Sequence, residues 1–405
     1  MANNEIIVGC DLGSYKIVGI VGTKESEGNF IRILGIGEAM STGIEKGTVT
    51  NIEKVSKAIK DALEKAFKMV GKEKKEIIVS ISGETTEGKI EKGFATISAP
   101  DKEIRRDDIK KVIDLAKSKA HSLEKEIIFV YPNHFIVDDQ EGIREPIGMI
   151  GNKIEVEAFI LKAKINTLRT IEKCFKRVGF EVMGFVSQPI ASSFGVLDEE
   201  EKSQGVAVID IGKGTTDIAI WKDLGLHYTS TLKLGGDFLA NDLATCLKIP
   251  KQKAEEVLEK YNFVGKELAK DKEKLIIERT GGRPPIEVKP EEYAEIVEAR
   301  LKEIFRFCLR EILRWGDQKN LVAGIVLTGG YAGIEGIENI AEEIFELNVI
   351  KKGPQNISGL SEPVNHPAYS SSVGILRIGE LMEKERYRSR KKNIFKKLWD
   401  FLEKI

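Results

Sequence analysis

The sequence predicts an α/β protein with two similar lobes around a cleft, and three observations support this fold class. Two strand-turn-strand units of the same design lie about 200 residues apart, at 6–21 and 205–221. Each unit carries an Asp-x-Gly turn between two short runs that are apolar on both faces, which is typical of strands in a covered sheet. An amphipathic helix is expected over 51–70, with Gly71 at its end, so strands and helices alternate.

Composition limits the functional classes. A chain of 405 residues with 41% apolar and 31% charged residues can bury a core in more than one domain. The net charge of -1 gives no general attraction for nucleic acid, which is not an expected partner. No signal peptide is expected, and no apolar run approaches the roughly 18 residues that span a bilayer. The cysteines and histidines are scattered, so neither a zinc site nor a His-based catalytic motif is expected.

The pattern of motifs divides the chain into two interrupted lobes with one insertion each. Thr50 and Glu53 are expected to form a capping box before the first long helix, and a strand is expected over 77–82. The stretch that follows mixes strands with one helix at 107–120. The expected parts are a first lobe core at 1–83, 163–197 and 363–382; an inserted subdomain at 84–162; a second lobe core at 198–232 and 311–362; a second insertion at 233–310; a linker at 383–392; and an amphipathic helix at 393–405.

The two Asp-x-Gly turns have the composition of phosphate-binding loops. Gly13 permits a tight turn, so backbone N–H groups and the Ser14 hydroxyl can face phosphate oxygens, while Lys16 adds positive charge. Asp11 can hold water on Mg²⁺. The second turn begins at Asp210 and offers two hydroxyls to the same phosphates from the opposite side. The candidate residues are Asp11, Gly13, Ser14, Tyr15, Lys16, Asp210, Gly212, Lys213, Gly214, Thr215 and Thr216.

Three further segments follow in a fixed order around these turns. Gln188-Pro189-Ile190-Ala191 precedes the second turn, Gly235-Gly236-Asp237 follows it, and a Thr-Gly-Gly-Tyr run lies at 328–331. Glycines let the backbone approach a base or sugar closely. A single turn of this kind is more often an ordinary hairpin. The alternative interpretation is that all five segments are structural turns.

In this order the segments resemble the actin, Hsp70 and sugar-kinase superfamily, whose duplicated ribonuclease-H-like ATPase fold would cover residues 5–380. The resemblance implies ATP and Mg²⁺ as cofactors, with Asp11 and Asp210 arranging the hydrated Mg²⁺ and Gln188 orienting the attacking water. It also implies contacts with the nucleotide from Gly235, Gly236, Gly329, Gly330 and Tyr331. Charged residues of a later helix, Glu298, Arg300 and Lys302, either touch the adenosine or form a solvated helix face.

Two other runs resemble one branch of this superfamily. The glycine- and proline-rich run at 137–151, with Ile154-Glu155-Val156 and the run at 43–49, is similar to the FtsA family of bacterial cell-division proteins. The resemblance implies self-association into filaments. It also implies binding of the C-terminal peptide of the tubulin-like protein FtsZ, and we expect this peptide to bind at 233–310. Later division proteins are further implied partners. The implied location is the cytoplasmic face of the cell membrane at the division site, as a peripheral protein.

The tail supports a membrane role independently. Residues 383–405 contain nine Lys or Arg and four Asp or Glu, and a helix there would segregate apolar from basic side chains. Such a helix suits the headgroup region of anionic lipids and is too short and charged to span them. A helix packed on its own domain, or docked in a partner's groove, is the alternative. The expected membrane residues are Ile394, Phe395, Leu398, Trp399, Phe401, Leu402 and Ile405.

The sequence therefore favours a recruitment protein that is at most a slow ATPase. The alternative from another class is a sugar-type small-molecule kinase of the same fold, which would need a catalytic carboxylate and a substrate pocket. No motif distinctive of either is visible. An Hsp70-type chaperone would need a C-terminal peptide-binding domain, for which the chain leaves only the tail.

Overall fold

The computed structural model describes residues 6–25, 30–279 and 284–382. Strands and helices are numbered here in chain order. The first lobe contains a six-stranded sheet made of β1 (Ile7–Leu12), β2 (Lys16–Lys24), β3 (Ile31–Met40), β6 (Glu76–Ile81), β11 (Glu181–Ser187) and β19 (Ile357–Gly359), in the order β11-β6-β1-β2-β3-β19. A small hairpin of β4 (Ile44–Glu45) and β5 (Thr48–Val49) stands beside it. The central strand β1 is buried throughout, as its apolar sequence predicts.

Helices α1 (Ile52–Val70) and α3 (Ile165–Arg177) cover this sheet. Helix α1 lies close against β3, and the lack of a side chain at Gly37 permits this approach. A Cβ on Gly37 would collide with the backbone of the helix. The expected capping box of Thr50 and Glu53 is wrong: Asn51 is the N-cap, and its Oδ1 accepts from the backbone N–H of Lys54 at 3.0 Å. The helix ends at Gly71, which has a φ of 69°.

The second lobe repeats the first sheet. Its strands are β12 (Val206–Ile211), β13 (Thr216–Lys222), β14 (Gly225–Leu232), β17 (Ile325–Thr328) and β18 (Val349–Lys351), in the order β14-β13-β12-β17-β18. Strand β12 is antiparallel to β13 and parallel to β17, just as β1 is antiparallel to β2 and parallel to β6. The predicted duplication is therefore present in the strand order as well as in the turns.

Each lobe carries additional elements. The first insertion forms a separate antiparallel sheet of β7 (Thr86–Thr96), β8 (Lys125–Val137), β9 (Gln140–Ile143) and β10 (Lys153–Lys164), in the order β7-β10-β8-β9, with α2 (Arg106–Lys119) against it. The second lobe adds α6 (Gly236–Leu247), α7 (Lys251–Tyr261), α8 (Lys266–Lys270), α9 (Pro290–Trp315), α10 (Ile337–Phe345) and the short pair β15 (Leu275–Ile277) and β16 (Ile286–Val288). Strands β15 and β16 are antiparallel, and residues 280–283 between them lie outside the described residues.

Three helices connect the lobes: α4 (Gln188–Val196), α5 (Glu199–Gln204) and α11 (370–382). Helices α4 and α11 cross in contact, since a Cβ on Gly195 would meet the backbone of Ser370 and one on Gly374 the backbone of Ala191. The N-terminal halves of α4 and α11 face Asp11 and Asp210, which accept from the side chains of Gln188, Ser192 and Ser372. None of the described helices is long and apolar enough to cross a membrane.

Candidate functional site

Asp11 and Asp210 occupy equivalent positions in the two sheets. Each is the penultimate residue of its central strand, where Asp11 lies opposite Ser80 of β6 and Asp210 lies opposite Thr328 of β17. The two carboxyls are close enough for the charge of Asp11 to raise the pKa of Asp210. The duplicated hairpins thus bring the two predicted acids together.

Asp11 is only 7% exposed and is surrounded by hydrogen-bond donors. Its Oδ1 accepts from the Ser80 hydroxyl and from Gln188 Nε2, the latter at 3.2 Å. Its Oδ2 accepts from the hydroxyl of Ser372 at 3.2 Å. Ser80, Gln188 and Ser372 belong to β6, α4 and α11, so three elements that are distant in sequence fix this carboxyl.

Asp210 is held mainly by helix α4, where the Ser192 hydroxyl donates to its Oδ2. Burial raises the pKa of Asp210 to about 6, the Ser192 hydrogen bond lowers it, and the charge of Asp11 raises it further. The ionised form of Asp210 is therefore less favourable in the cleft than in water.

A third carboxyl, Asp217 on β13, completes the cluster and is absent from the predicted site. It is the register partner of Asp210, and burial raises its pKa to about 7, followed in size by the charge of Asp210. Its oxygens accept from the hydroxyls of Thr215, at 3.1 Å, and Thr231. Paired residues of an antiparallel hairpin face the same side of the sheet. The pairing of Asp217 with Asp210 in this hairpin is therefore the signal from which Asp217 could have been predicted as part of the site.

The two predicted hairpins face each other across the lobes. The Ser14 hydroxyl accepts from the backbone N–H of Gly47 at 3.1 Å, and a Cβ on Gly214 would stand 2.9 Å from Ser14 Oγ. A Cβ on Gly13 would stand 2.7 Å from the carbonyl oxygen of Lys16 in the same hairpin. Glycine is thus required where the turns tighten and where they meet.

The predicted threonines and the following glycines tie the second hairpin to α6. The hydroxyl of Thr216 donates to the Leu234 carbonyl at 2.7 Å, and so turns away from the cleft, while that of Thr215 serves Asp217. The N–H of Gly236 donates to the Gly212 carbonyl at 3.0 Å. A Cβ on Gly235 would stand 2.6 Å from that same carbonyl oxygen, so the helix begins in direct contact with the hairpin.

The glycines at 329 and 330 differ in their surroundings. Gly329 has a φ of 92°, and a Cβ there would collide with Asp210 Oδ1. A Cβ on Gly330 would meet nothing within 4 Å, so open space lies beside this residue. The ring of Tyr331 packs against Gly236, which joins the predicted adenosine turn to the start of α6.

Both predicted lysines form ion pairs away from the acid cluster. Lys16 Nζ lies 2.7 Å from Glu38 and 3.6 Å from the ring centroid of Tyr369. Lys213 Nζ lies 3.0 Å from Glu255 and 5.2 Å from the ring centroid of Tyr15. In this structure each lysine is therefore paired with a carboxylate, which it would have to leave in order to contact a phosphate.

The charged residues of α9 form a network with neighbouring acids. The Arg300 guanidinium pairs with Asp242 at 2.5 Å and also reaches Glu303, and Lys302 lies 3.0 Å from Glu298 and 2.8 Å from Glu343. Arg300 also stacks on Phe238 of α6, with 5.5 Å to the ring centroid. Arg300 thus belongs to the wall next to Gly235 and Gly236.

The acid cluster fits a cation brought in with phosphates. Within the described part of the chain, the three carboxyls contact hydroxyl and amide groups and no Lys or Arg side chain. Buried carboxyls without a positive partner are costly when ionised, and a hydrated Mg²⁺ would offset that cost. Among the same residues, no group of three His, Cys, Asp or Glu side chains could hold a metal ion directly. Carboxylates can also hold Mg²⁺ through its water ligands.

Comparison with solved structures gives the class of the fold. The chain is similar to the PilM–PilN type IV pilus biogenesis complex, with a TM-score of 0.63, 13% identity and coverage of 92% of this chain and 98% of that one. It is similar to MreB5 of Spiroplasma citri bound to AMPPNP, with a TM-score of 0.57, 13% identity and coverage of 95% and 99%. For the MamK double helical filament the TM-score is 0.53, the identity 14% and the coverage 93% and 99%. The fold is actin-like, as predicted.

Sequence comparison then gives the family. The family model "Cell division protein FtsA" matches residues 207–374, and the model "SHS2 domain inserted in FTSA" matches 83–162. Cell division protein FtsA of Pseudomonas aeruginosa is 36% identical over 93% of this chain and 90% of that protein, and the protein of the same name from Borreliella burgdorferi is 34% identical over 92% and 91%. The chain belongs to the FtsA family, and its role is in cell division.

Proposed function

We propose that the chain is an ATP-binding, actin-like subunit that polymerises and tethers FtsZ filaments to the cytoplasmic face of the cell membrane. The observation that carries the nucleotide part is the cluster of Asp11, Asp210 and Asp217 at the place where the two hairpins meet. Membership of the FtsA family supports the division role, and the AMPPNP in the similar MreB5 structure supports the choice of ATP.

The residues divide the binding of Mg²⁺-ATP among them. The carboxyls face the hydrated Mg²⁺, the hairpin glycines admit the phosphates, and the open space beside Gly330 admits the adenosine. Bound Mg²⁺ supplies charge for the phosphate oxygens. Gln188 starts helix α4 and holds Asp11, so its amide is fixed at the edge of the cluster, where it can orient water.

Replacing Gln188 by Ala separates binding from turnover. We expect the parent to bind Mg²⁺-ATP and to hydrolyse it slowly, and the Gln188→Ala protein to retain most of the affinity while turnover at saturating ATP falls about 10- to 100-fold, since water is no longer positioned. Calorimetric titration and phosphate release measure the two quantities. Turnover at the parent rate would end this role for Gln188. No binding by the parent at millimolar Mg²⁺-ATP would overturn the nucleotide proposal.

The membrane part of the proposal falls on residues that lie outside the described range, namely the linker at 383–392 and the helix at 393–405. It is supported by the net positive charge of this tail and by its large apolar side chains. Ile394, Phe395, Leu398, Trp399, Phe401, Leu402 and Ile405 are the side chains proposed to enter the headgroup region.

Truncation after Met382 is expected to abolish binding to anionic vesicles. The physical reason is the loss of both basic and apolar groups, because membrane affinity of such helices needs charge attraction and buried apolar area together. Flotation with phosphatidylglycerol-containing liposomes measures the effect. A full-length Trp399→Glu protein is the matched control, since it keeps almost all of the chain and should also lose binding. Equal flotation of the full-length and truncated proteins would contradict the proposal.

Self-association and FtsZ binding complete the proposed function. The double helical filament of the similar protein MamK supports polymerisation, which electron microscopy on a lipid monolayer with and without ATP would detect. Monomers under every nucleotide condition would count against it. We place the C-terminal peptide of FtsZ on the second insertion, at 233–310, and retain later division proteins as partners. A fluorescent FtsZ peptide that fails to bind the full chain would remove the first of these.

A specific observation also favours the kinase alternative. A polar cavity of about 270 Å³ lies beside the acid cluster, lined by Glu84, Glu87 and residues 229–231, and Thr231 donates to Asp217. The carboxylates of Glu84 and Glu87 line this cavity, and one of them could accept the proton of a hydroxyl substrate during phosphoryl transfer. Family membership favours the division role over this one. Transfer of labelled phosphate from ATP to a panel of sugars and polyols would establish the kinase.

A further inference from the structure

The first insertion is bonded to the second lobe through a buried asparagine. Asn133 on β8 is 2% exposed, and both ends of its amide bind the backbone of one residue of β14. Its Nδ2 donates to the Leu226 carbonyl at 2.9 Å, and its Oδ1 accepts from the Leu226 N–H at 3.0 Å. A Cβ on the neighbouring Gly225 would stand 2.9 Å from the Asn133 side chain, so the fit leaves no room for sliding.

Arg144 holds the turn next to this contact. Its guanidinium bridges the carbonyls of Asn133 and Asp223. Asp223 and Leu224 form the two-residue turn between β13 and β14, with φ values of 50° and 58°, and such values are strained for a leucine. Their N–H groups donate to the carbonyls at the end of α5, at 3.1 and 3.0 Å. The turn is therefore fixed from both sides, by α5 and by the insertion.

Apolar packing makes the same contact rigid. The ring of Tyr131 on β8 lies 5.1 Å from that of Trp221 on β13 and 6.2 Å from that of Phe194 on α4. Trp221 is fully buried, and insertion residues such as Phe159 share one hydrophobic core with it. The insertion and the second lobe are thus joined by core packing and buried hydrogen bonds, in addition to the chain that roots the insertion in the first lobe.

The root of the insertion touches the opposite end of β14. A Cβ on Gly83 would collide with Thr231 Oγ1, and Glu84 pairs with Lys233 at 2.8 Å. Thr231 is the residue whose hydroxyl donates to Asp217 in the acid cluster. Leu226 and Thr231 are five residues apart on one strand, roughly 17 Å, and a paired strand transmits displacement along its length. The insertion therefore holds β14 at both ends.

We propose that Asn133 and Arg144 are positioning residues for the nucleotide site. They fix the start of β14 and so the place of Thr231 and Asp217, and occupation of the cleft in turn fixes the orientation of the insertion. This inference rests on the proposed binding of Mg²⁺-ATP. Coupling between two sites is reciprocal. If bound Mg²⁺-ATP strengthens the attachment of the insertion to the second lobe by some factor, loss of that attachment must weaken the binding of Mg²⁺-ATP by the same factor.

The test compares Asn133→Ala with the parent in the full chain. Titration calorimetry gives the affinity for Mg²⁺-ATP, and amide hydrogen exchange with and without Mg²⁺-ATP reports the insertion and residues 225–232. We expect about 3- to 10-fold weaker binding, faster exchange in 225–232, and loss of the protection that Mg²⁺-ATP confers on β8 and β10 of the parent. Asp138→Ala is the matched control, because this carboxylate accepts within the insertion, from the N–H groups of Asn152 at 3.0 Å and Lys153 at 2.9 Å. The Asp138→Ala protein should bind Mg²⁺-ATP with the affinity of the parent.

The outcomes separate the inference from the function on which it rests. If Asn133→Ala binds Mg²⁺-ATP with the affinity of the parent although hydrogen exchange in 225–232 is faster, the inference is overturned and the nucleotide proposal stands. Absence of binding by the parent ends both. Should Asn133→Ala fail to fold, Arg144→Lys is the second variant. It keeps the charge but replaces the two guanidinium nitrogens that bind the two carbonyls by a single ammonium nitrogen, and it is expected to change affinity and exchange in the same direction by a smaller factor. An unchanged Arg144→Lys protein would overturn the inference as well.

Discussion

Replacing Asp217 by Asn is expected to stabilise the ligand-free protein at pH 8 and to weaken its binding of Mg²⁺-ATP. The pKa of Asp217 is raised to about 7 in the folded protein, first by burial and then by the charge of Asp210. In the unfolded chain an aspartate titrates near pH ~3.9. Asn has the same shape and is neutral at every pH, so it removes the cost of ionising a buried carboxyl.

The pH dependence follows from proton linkage. Between about pH 4 and pH 7 the unfolded state has lost the proton of Asp217 while the folded state retains it, so the folded state binds more protons and its stability falls as the pH rises. Above about pH 7 the loss is complete. The free energy of unfolding of Asp217→Asn should therefore exceed that of the parent by on the order of 2–4 kcal/mol at pH 8, with the difference vanishing near pH 4.

The same substitution removes one negative charge from the place proposed for the hydrated cation. We expect the affinity for Mg²⁺-ATP to fall about 10-fold or more, because contacts made to an ionised group are the strong ones. Urea unfolding at pH 5 and pH 8 and calorimetric titration measure the two effects. Asp114→Asn, at an exposed position on α2, is the control and should change neither. A destabilised Asp217→Asn protein at pH 8 would show that the carboxyl is held favourably in its ionised form.

The opposite signs of these effects explain why such a cluster is tolerated. Buried carboxyls that bind a cation lower the stability of the ligand-free protein, so a substitution that removes one of them raises stability and weakens binding. Between about pH 4 and pH 7 the ligand-free protein should accordingly lose more stability than protein saturated with Mg²⁺-ATP, since the cation favours the ionised carboxyls that the ligand-free cleft disfavours.

The fold could be predicted from sequence wherever the signal was local. Two apolar hairpins with Asp-x-Gly turns gave the duplication, and apolar periodicity gave α1 to within one residue. The sequence does not distinguish Thr50 from Asn51 at the start of α1, because both are good capping residues. In the structure the Asn51 side chain is the one that accepts from the backbone N–H of the helix, at Lys54. Local patterns therefore fixed the elements and left their ends uncertain by a residue.

The site was predicted less completely because its geometry depends on contacts distant in sequence. Ser80, Ser192 and Ser372 hold the predicted acids, yet nothing near these serines marks them as part of a cleft. Lys16 is predicted at the phosphates from its place after the turn, and its ion pair with Glu38 on the neighbouring strand could not be read from that turn. A turn sequence specifies which residues are near a ligand site, while the pairing of strands decides where their side chains go.

The crossing of α4 and α11 shows the same dependence on distant contacts and leads to the second large effect. Gly374→Ala is expected to destabilise the protein and to reduce nucleotide binding. A Cβ at this position would overlap the backbone carbonyl of Ala191, and Gly195 makes the reciprocal contact with Ser370, so no side-chain rotation can relieve the overlap. The two helices must separate, at a cost of about 1–3 kcal/mol beyond the small gain in helix propensity from Ala.

Separation of these helices also moves the groups that hold the acids. Gln188 and Ser192 on α4 and Ser372 on α11 donate to Asp11 and Asp210, so a shift in the crossing displaces the donors of both carboxyls. Thermal unfolding and Mg²⁺-ATP titration of the folded fraction measure the two consequences. Gly379→Ala is the matched control in the same helix, where a new Cβ would meet methyl groups of Ile7 and Ile78 rather than backbone atoms, and its effect should be smaller. If Gly374→Ala is as stable as Gly379→Ala, the backbone contact does not set the crossing, and the acids are placed by their own strands alone.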